Sequence, residues 1–409
     1  MIRSALVLAI LVLACGSPAD PQPDASMRDV EEAAPDVSDA NVSDVPSDIG
    51  VDAGTPSSCA TRDCDEGLEC VEVGEQAHCV FAPLRPCSEE DPCTNREGEE
   101  ITTASDVPTC RTPTTSSHPV FDDGPPLERS DPQGNTRYGC VYVPETEGPL
   151  PLLVFLHGGS GSADNVYGAT SLRTKADTYE LSGDPEKPGF VLLSLQARNV
   201  HYPYSSLNDG IHTDSLAWDL SRNDDAENLD AWIDTLVLNG SVDAEAVYLV
   251  GWSEGGYFAQ LYGFYRRDRI AGVAVYSASN PFVRHYQGSR FVRAPELPSS
   301  DLPIFGMSRD CDTVACNATQ RRALVLLGGE GLVAETPVED WISILSDTLG
   351  NDNVTWQILD TSGGITNECA PSCRYIDGFT NHLTWPDGVN GAFDRELDML
   401  DFLRAVGVR

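Results

Sequence analysis

The sequence predicts an α/β protein, a mostly parallel sheet covered on both faces by helices, preceded by a small disulfide-rich module and an unstructured tether. Three observations carry that expectation. From about residue 137 onward, short apolar runs alternate with helical patterns. Six cysteines, Cys59, Cys64, Cys70, Cys79, Cys87 and Cys93, crowd into a stretch with few large apolar residues. Ahead of them lies a tract of Asp, Pro, Ser, Ala and Val with no aromatic residue. The boundaries read as 1–15, 16–57, 58–116 and 117–409.

The N-terminus has Arg3, then an apolar run from Ala5 to Ala14, then Cys15-Gly16-Ser17. A basic residue, about ten apolar ones and a small residue before the break make a secretory signal. Val12-Leu13-Ala14-Cys15 resembles a bacterial lipobox, with Cys15 the lipidation site; an ordinary signal peptide is the alternative. The run is too short to span a bilayer as a mature helix, so a lipid would be the only membrane hold. The acidic tract to Ser57 cannot bury enough apolar surface to offset chain entropy and reads as a tether.

With 64 acidic against 26 basic residues, the net charge is −38 over 409 residues. Such a chain is repelled by phosphate backbones, which disfavours nucleic acid as a partner. Setting Cys15 aside leaves an even number of cysteines, which in an exported chain favours disulfides. A segment as short as 58–116 needs such staples to fold. No Cys-x2-Cys pair is present, so no metal site is expected. Cys110 and Cys140 pair with each other or join the module. Cys311 and Cys316, and Cys369 and Cys373, form either two short loops or bonds between the two stretches.

Strands are expected in the runs at 141–143, 151–156, 190–195, 247–250, 270–276, 302–305 and 354–359. A helix is expected over Asp224–Leu238, where Ala226, Leu229, Ile233, Leu236 and Val237 share a face and Asn239-Gly240 ends it. Further helices are expected at 337–349 and 393–405.

Gly251-Trp252-Ser253-Glu254-Gly255-Gly256 follows the run at 247–250 and precedes a helix-compatible stretch. A serine on such a strand-to-helix turn is exposed in a strained backbone, with glycines letting strand and helix approach. The N–H of Glu254 would face a developing oxyanion. His157-Gly158-Gly159-Ser160-Gly161 directly follows the run at 151–156. Its glycines suit the second oxyanion donor, Gly159 or Ser160. The Walker lysine and the G-x-G-x-x-G spacing of a phosphate loop are both absent.

A hydroxyl nucleophile needs a base, and the base an orienting acid. Of the histidines beyond Ser253, His285 precedes the acid-bearing strand, whereas His382 follows the last one. His382 is therefore the base. The loop after the run at 302–305 offers Asp310 and Asp312, of which Asp312 better suits the turn; Asp360, after the following strand, is a third choice that reads rather as a turn or cap residue. Trp252, Trp385 and Trp218 are candidates for lining an acyl or aromatic pocket.

These motifs, with Val141-Tyr142-Val143-Pro144 and Trp385-Pro386 beside His382, resemble the secreted esterase group of polyhydroxybutyrate depolymerases, feruloyl esterases and acetylxylan esterases. The resemblance spans about residues 137 to 409 and implies an α/β-hydrolase fold. It also implies cleavage of a carboxylic ester, small or polymeric, through an acyl-enzyme with no metal or organic cofactor. Cys311 and Cys316 in the acid loop depart from the group. Two alternatives are a peptidase of the prolyl-oligopeptidase type and a non-catalytic adhesion or carbohydrate-binding lipoprotein that uses the Cys-rich module.

Overall fold

The computed structural model describes residues 68–73, 76–81 and 107–407, apart from 132–133, 135, 160, 198–223, 282, 287–289, 294–299, 317–337, 371–372 and 390–392. Cys15, the signal-like run, the tether and most of the Cys-rich module lie outside these residues. Of the module, the hairpin β1 (Leu68–Val73) and β2 (Gln76–Phe81) is described, with Cys70 opposite Cys79 in antiparallel register.

The main sheet has eight strands. In chain order they are β3 (Leu127–Ser130), β4 (Thr136–Tyr142), β5 (Leu150–Leu156), β6 (Val191–Leu195), β7 (Val242–Trp252), β8 (Gly272–Tyr276), β11 (Ile304–Arg309) and β12 (Val354–Leu359). A separate hairpin, β9 (Val283–Tyr286) and β10 (Arg290–Arg293), falls between β8 and β11. Across the sheet the order is β12-β11-β8-β7-β5-β6-β4-β3. Neighbours from β12 to β6 are parallel, whereas β4 runs antiparallel to β6 and to β3. Strands β5, β6, β8 and β11 are buried along their whole length, as expected when helices cover both faces.

Those covers are distinct. On one face, Ala226, Leu229, Trp232 and Ile233 of α3 (Asp224–Leu238) pack with Phe258, Leu261 and Tyr262 of α4 (Glu254–Tyr265) and with Trp341 of α5 (Val338–Ser343). On the other, Met399, Leu400 and Leu403 of α7 (Glu396–Gly407) pack with Val166 of α1 (Asn165–Gly168) and Leu172 of α2 (Leu172–Lys175). Each such fully buried aliphatic side chain contributes about 2 kcal/mol. Charged groups that enter this core meet opposite charges there: Arg137 of β4 meets Asp225 of α3, and Lys175 of α2 lies 2.8 Å from Glu396 of α7.

The helix expected at 224–238 has those bounds. The one expected at 337–349 is split into α5 and a π-helical turn, Ile344–Thr348. The last begins at Glu396 rather than at 393. Three helices go beyond the expected ones: the short α1 and α2, and α6 (Tyr375–Leu383), which carries His382. Gly378, Thr380 and Asn381 are weak helix formers, and that hides α6 from the pattern.

Cys110 is bonded to Cys140 of β4. The N–H groups of Thr109 and Cys110 also bind the Asp164 carboxylate, which ties the chain from Thr109 onward to the α/β domain. The later cysteines bond between their two stretches, Cys311 to Cys373 and Cys316 to Cys369.

Candidate active site

β7 ends at Trp252 and α4 begins at Glu254, so Ser253 alone turns the chain, with φ 54° and ψ −119°. This left-handed backbone costs a non-glycine residue of order 1 kcal/mol. Its surroundings enforce it. The Ser253 N–H donates to the Tyr276 carbonyl at 2.9 Å, and its carbonyl accepts from the N–H groups of Gly256 and Tyr257. A Cβ on Gly251 would stand 2.3 Å from the Gly255 carbonyl oxygen, and one on Gly255 2.0 Å from that of Leu156. Both flanking glycines are therefore demanded by contact. The serine itself is half-buried and so accessible.

His382 Nε2 lies 2.9 Å from Ser253 Oγ, and its Nδ1 lies 3.2 Å from Asp312 Oδ1. With Nδ1–H donated to the carboxylate, Nε2 carries the lone pair that accepts the serine proton. His382 is 7% exposed and Asp312 0%. Asp312 Oδ1 also accepts the N–H groups of Val314 and Ala315, and Oδ2 accepts the Ser277 hydroxyl. Burial alone would push the Asp312 carboxyl up. The electrostatic attraction between the carboxylate and the facing His382, with hydrogen bonds from His382, Ser277 and Val314, outweighs it and holds Asp312 below the usual carboxylate range.

His382 is pinned through its own backbone and that of its neighbours. Trp252 Nε1–H donates to the His382 carbonyl at 3.0 Å. The Tyr276 hydroxyl spans the Asn381 and Thr384 carbonyls at 3.0 and 2.7 Å. The two Cys311–Cys373 and Cys316–Cys369 bonds join the acid loop to the segment leading into α6.

Asp310, the other candidate acid, bonds through its backbone to Leu359 and Ala370, and burial pushes its carboxyl up. Asp360 accepts from the N–H groups of Ser362 and Gly364 and serves a turn. His285 lies on β9, and Trp218 lies outside the described residues.

Across the elbow runs the loop after β5. A Cβ on Gly158 would stand 3.1 Å from both Ser253 Cβ and the Trp252 carbonyl oxygen, so the loop passes directly over Ser253. Gly159 is exposed there, and Ser160 lies outside the described residues. His157 anchors this loop. Its Nδ1–H donates to the Gly158 carbonyl at 2.8 Å and its Nε2 accepts the Ala197 N–H at 3.2 Å. Burial pushes the imidazole down from its ordinary value and keeps it neutral. Glu254 opens α4, where first-turn N–H groups precede the helix's own hydrogen-bond ladder.

Trp252 is half-buried beside the serine. Trp385 is 4% exposed, packed against Phe155, Tyr276 and Trp252, with its indole N–H 2.5 Å from Glu396. Its place is in the core behind the site rather than on a pocket wall. Ser277, Tyr276 and the anchoring of His157 escape the sequence motifs because they act through hydrogen bonds between distant segments.

An eight-stranded sheet in this order, with its second strand antiparallel and a serine elbow after its central strand, is the α/β-hydrolase fold. No family model matches the chain, and no curated protein does. Among solved structures, it is similar to an S-formylglutathione hydrolase from Agrobacterium tumefaciens at 12% identity. That match covers 70% of this chain and 94% of the other, with a TM-score of 0.39. It is similar to a hyperthermophilic esterase from the archaeon Pyrobaculum calidifontis at 14% identity, covering 69% and 86%, with a TM-score of 0.39. A Bacillus cereus carboxylesterase matches at 13% identity over 60% and 92%, with a TM-score of 0.32. Likenesses this distant say nothing of activity, and the fold rests on the strand order.

Proposed function

We propose that this chain is a serine hydrolase of carboxylic esters that works through an acyl-enzyme. The observation that carries the reading is the unbroken series of contacts from Ser253 Oγ through His382 to the buried Asp312. Ser253 Oγ attacks the ester carbonyl as its proton passes to His382 Nε2, and Asp312 stabilises the imidazolium. The tetrahedral oxyanion accepts the N–H of Glu254 and that of Gly159 or Ser160. As the C–O bond breaks, His382 gives its proton to the leaving alcohol. Water then attacks the acyl-enzyme, its proton passes to His382, and release of the acid returns that proton to Ser253. The substrate class is a polyester, a feruloyl ester or an acetylated polysaccharide, with Trp252 beside the acyl group.

An organophosphonate probe should label wild type at Ser253, and short nitrophenyl esters should be cleaved far faster than peptide amides. Amide preference would favour a peptidase, and absence of labelling would favour a non-catalytic surface protein. For the address we propose export, with Cys15 lipidated and 16–57 as the tether. Cys15→Ser should then release the mature protein from the membrane fraction. A wild-type protein found free, with an unmodified N-terminus beyond Cys15, would end that proposal.

A further inference from the structure

Asp312 has two carboxylate oxygens, and they have different partners. Oδ1 takes His382 Nδ1 and the N–H groups of Val314 and Ala315. Oδ2 takes the hydroxyl of Ser277. The geometry points to Ser277 as a positioning residue that sets the rotation of the acid, an inference that rests on the esterase reading of Ser253, His382 and Asp312.

Ser277 follows directly on β8, is fully buried, and has φ 58°. Its N–H donates to the Met307 carbonyl of β11 at 2.9 Å, which fixes the strained backbone where β8 meets the acid-bearing strand. Glycine would adopt this conformation without strain. Serine there adds a hydroxyl, and that hydroxyl reaches the Asp312 oxygen which His382 does not touch. Were Oδ2 unheld, the carboxylate could rotate about its Cβ–Cγ bond and turn Oδ1 away from Nδ1–H. The preceding residue does the complementary task, since the Tyr276 hydroxyl holds the carbonyls on either side of His382 and its neighbour Leu383. The end of β8 thus orients the base through Tyr276 and the acid through Ser277.

Backbone strain makes the test decisive, because the variant that deletes the hydroxyl also relieves the strain. In the full-length protein, Ser277→Gly should leave Tm close to that of wild type, because relief of the positive φ offsets the hydrogen bond lost to Asp312. With a short nitrophenyl ester, kcat should fall roughly 10- to 100-fold, the range for losing one hydrogen bond to a charged group. KM should stay within about two-fold of wild type, since uniform substrate binding is untouched. Ser277→Ala should show the same loss of kcat. In an Asp312→Ala background, Ser277→Gly should lower kcat no further. Wild-type kcat in Ser277→Gly, or a full multiplicative loss on top of Asp312→Ala, would overturn the role. A lower Tm with raised KM would mark a merely structural residue and overturn it equally. Retained turnover in Ser253→Ala is a separate result, which would remove the esterase reading and this role with it.

Discussion

A Cβ placed on Gly378 would stand 2.2 Å from the carbonyl oxygen of Cys311 and 2.7 Å from Cγ2 of Thr313. The helix that carries His382 is thereby pressed against the loop that carries Asp312. Gly378→Ala is ordinarily a gain of up to about 1 kcal/mol inside a helix. Here the obstacle is backbone, which cannot rotate aside, so α6 must shift. We expect a net loss on the order of 1–3 kcal/mol and a lower kcat as His382 moves off Asp312. Thermal unfolding and steady-state kinetics check both, and a stabilised, fully active variant would contradict the packing.

The same contact is held covalently from both sides of Asp312. Cys311 precedes the acid and bonds to Cys373, while Cys316 follows it and bonds to Cys369. Removing either bond as a double Cys→Ser variant should cost on the order of 2–4 kcal/mol through the unfolded chain's regained entropy. The effect on kcat should be larger for Cys311/Cys373, which adjoins Asp312 directly. Equal kcat loss from removing the Cys110–Cys140 bond, which ties the chain ahead of β3 to β4, would mean that general loosening rather than local tethering is responsible.

Much of this site was legible in the sequence, because its parts sit where short-range patterns break. Gly251 and Gly255 mark the elbow since each has a backbone oxygen where a side chain would stand. The helix at Asp224–Leu238 showed in its apolar spacing since that face packs on the sheet. What stayed hidden depends on separation along the chain. The partners of Cys311 and Cys316 are set by how α6 meets the acid loop, which no local spacing encodes. The helical state of Tyr375–Leu383 runs against the propensity of Gly378, Thr380 and Asn381 and comes from packing. Trp385 has the sequence context of a pocket residue, and it is the bond of its indole N–H to Glu396, which no local pattern encodes, that holds it in the core.

Asp312→Asn should reduce kcat by several orders of magnitude, since an amide favours the wrong imidazole tautomer. Asp310→Asn should cost little, because the hydrogen bonds of Asp310 to Leu359 and Ala370 run through its backbone. Ser253→Ala and His382→Ala should each abolish turnover with the fold retained, as circular dichroism and Tm would report. The reverse ranking of the two aspartates would mean that the acid has been misassigned.

His157 gives a pH dependence whose sign is fixed by burial. Its folded-state pKa lies below the ordinary histidine value because the imidazole is fully buried, whereas in the unfolded chain it titrates near 6.5. Below about 6.5 the unfolded state therefore binds a proton that the folded state refuses. More protons bound in the unfolded state means that stability rises with pH, so it falls as pH drops through that window. One group supplies at most about 1.4 kcal/mol per pH unit, and nothing above about pH 7.5. His157→Asn removes this titration and also leaves the Ala197 N–H without its Nε2 acceptor, a cost of about 1–3 kcal/mol. The stability gap between wild type and variant should therefore be widest near neutrality and close towards about pH 5. Because the rest of the chain titrates identically in both, urea unfolding of the pair across that range isolates the term. Parallel curves would mean that His157 is solvated or protonated in the folded protein, and that the loop over Ser253 is held by something else.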